Sequence, residues 1–542
     1  MNKYIKYAFA TVGLMAATTS CSDFGDVNID PESMNEGNAP YEMLFTNAQH
    51  QGLGSDWDIW RTGCIYSGQW MQHIASIYNW WTYAFYSWND GYSAAYWDIY
   101  AGDRGAVRDV TTVLNIWKDD PKHALDYNIA RVTRVYIMHR MTDLYGDVPY
   151  SQAGQPKEYS YPVYDKQQDI YMDMLKELNE AQANLRNGGT APLESHDVYF
   201  QGDTEKWRKF ANSLMLRLAM RMSKVDPTTA QTWVQTAVSN GLLESVADNV
   251  KLDHPGAVTT DDSSEPYAKI FAHEARGEFF LSNVFVDMLK SDNDPRLALI
   301  GTVCEDPTIS HQAGSSFQYG NSDPAIQKGL PCGYSNDPTN NWFIGRDYPE
   351  FNTADYLNNY QSNYSTVNRY TYSNPTSHTY LLTYAQQQLL LAEAAVRGWV
   401  SGNAQTYYEQ GVRAAMEQFS QYSSASALYN QYLTPSAIAT YLQENPFNQS
   451  KALEQINTQY WITCFCDEYE SFANWRRSGY PELTPTQKAS NPYPECATDG
   501  SIPRRFRYPT TESQVNMTNY NDAVGRLDNG DSFTSRVWWD VK

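Results

Sequence analysis

One stretch, Ala124 to Gly154, constrains the fold of this chain more than any other: ALDYNIARVTRVYIMHRMTDLYGDVPYSQAG. Leu125, Ile129, Val132 and Tyr136 recur at spacings of three and four, the period that stacks side chains on one helix face. Val135, Met138 and Met141 add a second apolar stripe, so this helix needs neighbours on two sides. Gly146 offers a backbone free to take positive φ at the end, and Pro149 forbids continuation. A helix with two apolar faces belongs in a stacked helical array, where no hairpin buries its own surfaces. The spacing predicts a scaffold, with the chemistry located elsewhere.

A formal net charge of -22 repels phosphate and excludes nucleic acid as a partner. The 42 Tyr and 16 Trp outnumber the 19 Phe. Rings with a polar tip stack on the apolar face of a ligand while offering a hydrogen bond. Most will wedge helices apart; a minority suit a ligand surface.

The first residues address the compartment. Residues 1–20 carry Lys3 and Lys6, then an apolar run from Tyr7 to Ala17 and small residues, the pattern of a secretory signal peptide. That run is shorter than the ~20 residues of a membrane span, and no later segment qualifies. Cys21 after Thr18-Thr19-Ser20 looks like a loose bacterial lipobox, and Asp23 and Asp26 resemble the acidic tag that sends Bacteroidetes lipoproteins to the cell surface. Acylation at Cys21 would anchor the chain to a membrane without spanning it. The remaining six cysteines are too few and scattered for a disulfide framework, and Cys464-Phe465-Cys466 has the wrong spacing for zinc.

Residues 21–40 read as a tether. Helical periodicity predicts elements over 41–53, 57–77, 92–117, 165–185, 204–222 and 229–239, with Thr204 as an N-cap. Bulky aromatics break the pattern at 78–83, and the third of these helices should pair with the first. From about 243 to 378, Pro, Gly, Asn, Asp and Ser become dense and only 279–289 reads as helical. A region this long without periodicity carries function when it lies inside a compact domain. Helices return over 379–397, 405–421 and 450–468. The expected organisation is one mainly α domain, 41–542. Its helical frame spans 41–242 and 379–483, its loop-rich ligand-facing region about 243–378, and its tail 484–542.

Several passages together resemble one family. These are Leu144-Tyr145-Gly146-Asp147-Val148-Pro149-Tyr150, the run Leu391 to Trp399 with Tyr408 to Arg413, Gln459-Tyr460-Trp461, Asn474 to Leu483, and Ile502 to Pro509 with Glu512 and Asn519-Tyr520. With the lipoprotein-like start they resemble the SusD/RagB family of nutrient-binding outer-membrane lipoproteins. The resemblance implies tetratricopeptide-like helical pairs holding a loop-rich insertion. It also implies a TonB-dependent SusC-type transporter as partner, and capture of oligosaccharides or, in some branches, peptides. The motif arginines Arg476, Arg477, Arg504 and Arg505 are expected to tie helices to the tail by charge-assisted bonds.

No catalytic signature accompanies this. There is no G-x-S-x-G elbow, Walker loop or complete dinucleotide loop, and His273-Glu274 lacks the second histidine of a zincin. No cofactor or metal is expected; Asp56-x-Asp58 and Asp292-x-Asp294 sit in no complete calcium loop and read as turn residues. Binding needs less: a sugar's C–H face docks on Trp or Tyr while Asn, Gln, Arg and Asp hold its hydroxyls. Three clusters outside the helical pattern fit: Asn79, Trp80, Trp81 and Tyr83; Tyr319, Asn341, Trp342 and Arg346; and Tyr360, Asn363, Tyr364 and Arg369. The family places ligand on loops after the early helices and in the central insertion, which favours the first two. The expected function is non-catalytic, cell-surface capture of oligosaccharide for a SusC-type transporter. A peptide or glycopeptide ligand, or a lipid-anchored glycoside hydrolase with a spatially paired acid and base, are the alternatives.

Overall fold

A computed structural model of the chain describes residues 40–78, 83–100, 104–309, 317–486 and 493–542. The signal peptide, Cys21 and the tether to residue 39 lie outside the described residues, as do Asn79, Trp80 and Trp81. The chain divides into two units, Met1–Met43 and Leu44–Lys542, and the fold is that of the second.

Helices dominate it. The first half contributes α1 (Tyr41–Gln51), α2 (Ala106–Trp117), α3 (Ala124–Tyr145), α4 (Gln167–Leu185), α5 (Thr204–Arg221) and α6 (Pro227–Asn240). The second half contributes α7 (Asn283–Ser291), α8 (Tyr384–Val396), α9 (Ala404–Glu417), α10 (Pro435–Glu444), α11 (Ala452–Thr463) and α12 (Glu468–Ser478). From α2 to α6 each helix packs on the next, α8 packs on α9 and α11, and α5 packs on α8 to join the two halves. The expected contact of α1 with the third predicted helix exists: Phe45 meets Trp117 at 6.0 Å, and Asn47 donates to Asp109 at 2.6 Å.

Helix α3 is buried on nearly every side, polar Arg131, His139, Arg140 and Asp143 included, and stops at Gly146 with φ +87°. A side chain at that φ would be strained, so glycine ends the helix there. The charges inside are paired. Arg477 grips Glu393 through both terminal nitrogens at 2.6 and 2.7 Å, and Arg221 meets Glu470 at 2.6 Å. Arg476 donates to the carbonyls of Asp143 and Arg504 at 2.6 and 2.9 Å, Arg505 pairs with Asp531, and Arg504 with Asp540. Arg476, Arg504 and Arg505 therefore join helices to the tail as expected, whereas Arg477 binds α12 to Glu393 of α8 and Asn457 of α11 and does not reach the tail. Such pairs add little beyond an apolar core of the same shape, but once buried each partner is costly to remove.

Several boundaries differ from the sequence reading. Residues 57–77 are not one α-helix: a capped turn, Asp56–Asp58, widens into a π-helix over Ile59–Gly68. Ser67 Oγ donates back to the Thr62 carbonyl at 2.7 Å, a partner five residues away that suits the wider turn. Strand β1 (Ile74–Ala75) follows. The predicted helix over 92–117 starts only at Ala106, because Gly105 has φ −41° and ψ +56°, outside helical space. The cap of α5 is Asp203 rather than Thr204.

Two further short strands, β2 (Val148–Pro149) and β3 (Tyr164–Asp165), pair with each other just after α3. Strand β4 (Val250–Asp253) pairs antiparallel with a strand made from residues predicted to open a helix (His378–Leu382); Thr383 then caps α8 in a reciprocal box with Gln386. Residues Phe280–Leu281 form β5, paired with β1, and α7 begins only after Ser282 caps it. Helix α11 ends at Thr463; Cys464 and Phe465 are buried in the turn beyond it, and α12 is an additional helix. Among the described residues no helix is long and apolar enough to cross a membrane.

Candidate functional site

The loop-rich region has a core of its own. Ala75 and Ile77, just after the π-helix, pack with Phe280, Leu330, Phe343, Ile344, Phe351 and Tyr360. This core holds the loop 334–348. Ser335 accepts from Ile344 N and donates its own N–H to the Trp342 carbonyl, both at 2.9 Å, and Asn340 Oδ1 accepts from Trp342 N at 2.8 Å. An Asx turn flanked by two buried residues thus fixes the Trp342 backbone.

The Trp342 ring meets rings from two distant parts of the chain. Phe85, from the segment after residues 79–82, lies 5.9 Å away, and Tyr493, from the tail, 4.9 Å away at 68°. Phe85 and Tyr493 stack on each other at 4.8 Å and 9°. The tail also frames this segment: Ala497 N donates to the Tyr86 carbonyl, and Thr486 N donates to the Tyr86 hydroxyl, at 2.8 and 2.9 Å. On the other flank of residues 79–82, Asn336 N donates to the Ile77 carbonyl at 2.7 Å. The Trp342 loop therefore holds both ends of the aromatic run that the sequence singled out.

Polar groups lie on the same loop. Asn341 and Arg346 are exposed, and an Arg346 nitrogen lies 3.4 Å from Asn341 Oδ1. Half-buried Tyr334 donates to Asp347 at 2.7 Å and stands edge-on to Tyr348 at 5.5 Å. Burial and Asp347 push the Tyr334 hydroxyl up, and burial with Glu495 does the same for Tyr493, so both phenols remain donors. Rings beside amide, guanidinium and carboxylate groups match what a polyhydroxylated ligand needs.

Trp342 is a correction to the expectation of an exposed indole: it is 8% exposed and Phe85 1%, so these rings pack the loops together, and the exposed groups here are Asn341 and Arg346. Tyr83 begins a short turn, Tyr83–Phe85, at the same place. Tyr319 is 39% exposed but packs on Phe317 and Tyr370 and touches none of the Trp342 group. Tyr364 and Arg369 are corrections. Tyr364 is buried in the local core, and Arg369, fully buried, donates to the carbonyls of Gln318 and Pro307 at 3.0 and 3.2 Å. Both hold loops together and neither faces solvent. Phe85, Tyr334, Tyr348 and Tyr493 were missed: Tyr334 and Tyr348 share the loop of Trp342, whereas Phe85 and Tyr493 come from distant segments that only folding brings together.

The aspartates weighed for calcium have protein partners: Asp58 pairs with Arg104 at 2.6 Å, and Asp294 with Arg296. Among the described residues one group, His139, Asp143 and Glu470, is close enough to share an ion, and Arg221 already pairs with both its acids.

Comparison with known proteins decides the family. Residues 35–509 match the SusD-like family described as starch-binding and associating with the outer membrane. The chain belongs to the SusD-like family. Among solved structures, a chitin-binding protein shares 30% identity with a TM-score of 0.75, covering 93% of this chain and 100% of its own. A Bacteroidetes SusD-like protein, AC2a, shares 27% at a TM-score of 0.78, covering 93% and 100%. A chitin-binding SusD homologue from Flavobacterium johnsoniae shares 25% at 0.71, covering 93% and 99%. No curated sequence matches the chain. The SusD-like fold of helical pairs thus accounts for the frame as well as the resemblance read from its motifs.

Proposed function

We propose that this SusD-like chain is a non-catalytic glycan-binding protein, anchored by lipid at Cys21 to the outer face of the outer membrane. It captures oligosaccharide on the surface around Trp342 and passes it to a TonB-dependent SusC-type transporter. The observation that carries this reading is the exposed pair Asn341 and Arg346, with half-buried Tyr493, on a loop that the buried Phe85 and Trp342 rings hold against both flanks of residues 79–82. Family membership and the two chitin-binding neighbours favour β-linked N-acetylglucosamine oligomers as first candidates.

Calorimetry of the purified chain against chito-oligosaccharides, malto-oligosaccharides and a peptide panel tests the reading. Heat with a sugar series, weakened about tenfold by Trp342→Ala or Tyr493→Ala, is the expected result. Heat with peptides alone, or sugar binding indifferent to both substitutions, would overturn it. For the anchor, Cys21→Ala is expected to move the chain from the membrane fraction to the soluble fraction. For the partner, a TonB-dependent barrel should co-purify from detergent extracts.

A further inference from the structure

A second surface stands apart from the Trp342 group and shares no residue with it. Ser55 caps the turn Asp56–Asp58, and the chain runs straight into the π-helix Ile59–Gly68. Wide turns of this kind occur disproportionately at functional sites. Trp57 stands on the turn just before this π-helix, and Trp60 and Arg61 at its start. The Arg61 guanidinium lies over the Trp57 ring and within 5.1 and 5.4 Å of the Trp60 and Tyr92 rings. Arg61 is 7% exposed, yet Trp57 is 44% exposed, whereas Trp70, Trp117, Trp207, Trp461 and Trp539 are wholly inside. A cation holds one face of the indole in a set orientation and leaves the rest to water. An indole kept outside in this way forgoes burial.

On the same turn, through Asp56, opens a pocket of about 300 Å³ lined also by His50, Arg104, His254, Asp262 and Lys269. Asp56 joins the two features, since it lines the pocket and directly precedes Trp57. The pocket's charges are balanced: Lys269 sits 3.0 Å from Asp262 and 3.4 Å from Asp56, and Arg104 pairs with Asp58 at 2.6 Å. Burial lowers both histidines, His254 to about 4, so both imidazoles are neutral at pH 7, and His254 Nε2 already shares a hydrogen bond with Thr379 Oγ1 at 2.9 Å. Alternating donors and acceptors without a surplus charge suit vicinal hydroxyls, each of which must give and take a hydrogen bond. Phosphate or a carboxylate would displace an aspartate that already holds Lys269. The volume stands at the lower end of small-ligand sites.

We propose that this surface is a second carbohydrate site: the pocket takes the end residue of a neutral oligosaccharide, and the next ring stacks on Trp57. The choice of probe rests on the glycan reading above, but the residues tested do not. The wild-type chain is oxidatively footprinted with and without N-acetylglucosamine hexamer and malto-oligosaccharides, and protection is read by mass spectrometry peptide by peptide. Protection of the Trp57–Arg61 peptide is the expected result. It should persist in Trp342→Ala, and Trp57→Ala should weaken binding of the longer oligomers about threefold to tenfold. Protection confined to the 334–348 loop overturns this proposal and leaves the first standing. Protection at Trp57 alone supports it and overturns the Trp342 reading. No protection with any sugar overturns both.

Discussion

Glu393→Ala should destabilise the fold by about 3 kcal/mol or more, and two routes give that figure. Glu393 is 1% exposed and accepts from Arg477 at 2.6 and 2.7 Å, from Arg397 at 2.8 Å and from Asn457 at 3.1 Å. Burial pushes its carboxyl up, but Arg477 and then Arg397 outweigh that and hold it at about 2 against an ordinary 4.5. At 1.36 kcal/mol per pH unit the difference is worth about 3 kcal/mol. Independently, removing one partner of a buried pair costs about 3–5 kcal/mol, because Arg477, also 1% exposed, keeps its charge without its counter-ion. The sign follows from the lowered folded value: the stabilisation is complete above pH 4.5 and fades as pH falls towards 2. Urea unfolding at pH 7 and along an acid series measures it. Wild type should lose stability from 4.5 downward, while Glu393→Gln, already weakened at pH 7, should show a flatter acid limb. A loss below about 1 kcal/mol at pH 7, with acid limbs that superimpose, would refute the reasoning.

Other outcomes follow from the same geometry. Glu265 is buried, caps a short helix through Ala268 N at 2.9 Å, and is pushed by burial to about 8. A carboxyl raised in this way contributes stability below pH 4.5 that is lost as pH climbs through 8. Glu265→Gln should therefore gain melting temperature relative to wild type across that interval and hold a constant lead above it; parallel curves would count against it. Arg369→Met should lower the melting temperature while leaving sugar affinity intact, since its bonds go to carbonyls within loops; an affinity loss at unchanged stability would return it to the binding surface. Asn341→Ala and Arg346→Ala should do the reverse, reducing affinity a few-fold with no thermal shift; unchanged calorimetric affinity in both variants would remove these residues from the site.

The sequence showed the frame well because periodic burial leaves a local trace. The two stripes of α3 and the glycine at its end predicted a helix with neighbours on two sides, and the structure buries it on nearly every side; three of the four motif arginines take the expected role. It misplaced elements where tertiary bonds override the period. Residues 378–382 look helical until β4 offers them a ladder, and 57–77 reads as one helix until a hydroxyl reaches back five residues and widens the turn. The candidate site was half legible. Trp342, Asn341 and Arg346 lie on the loop the composition indicated, but Phe85 and Tyr493 join them only through folding. Tyr364 and Arg369 show the opposite error: a polar, aromatic-rich segment can spend its most ligand-like side chains on holding itself together.

The Trp539 indole donates to Asp143 at 3.0 Å across 396 residues of chain, and Arg505 reaches the Tyr145 carbonyl across 360. The central helix is therefore sealed by segments that lie several hundred residues further along the chain. The polar side chains of that helix, Asp143 among them, find protein partners only once parts of the chain far apart in sequence have met, so its interior is a product of the whole fold and not of any one hairpin.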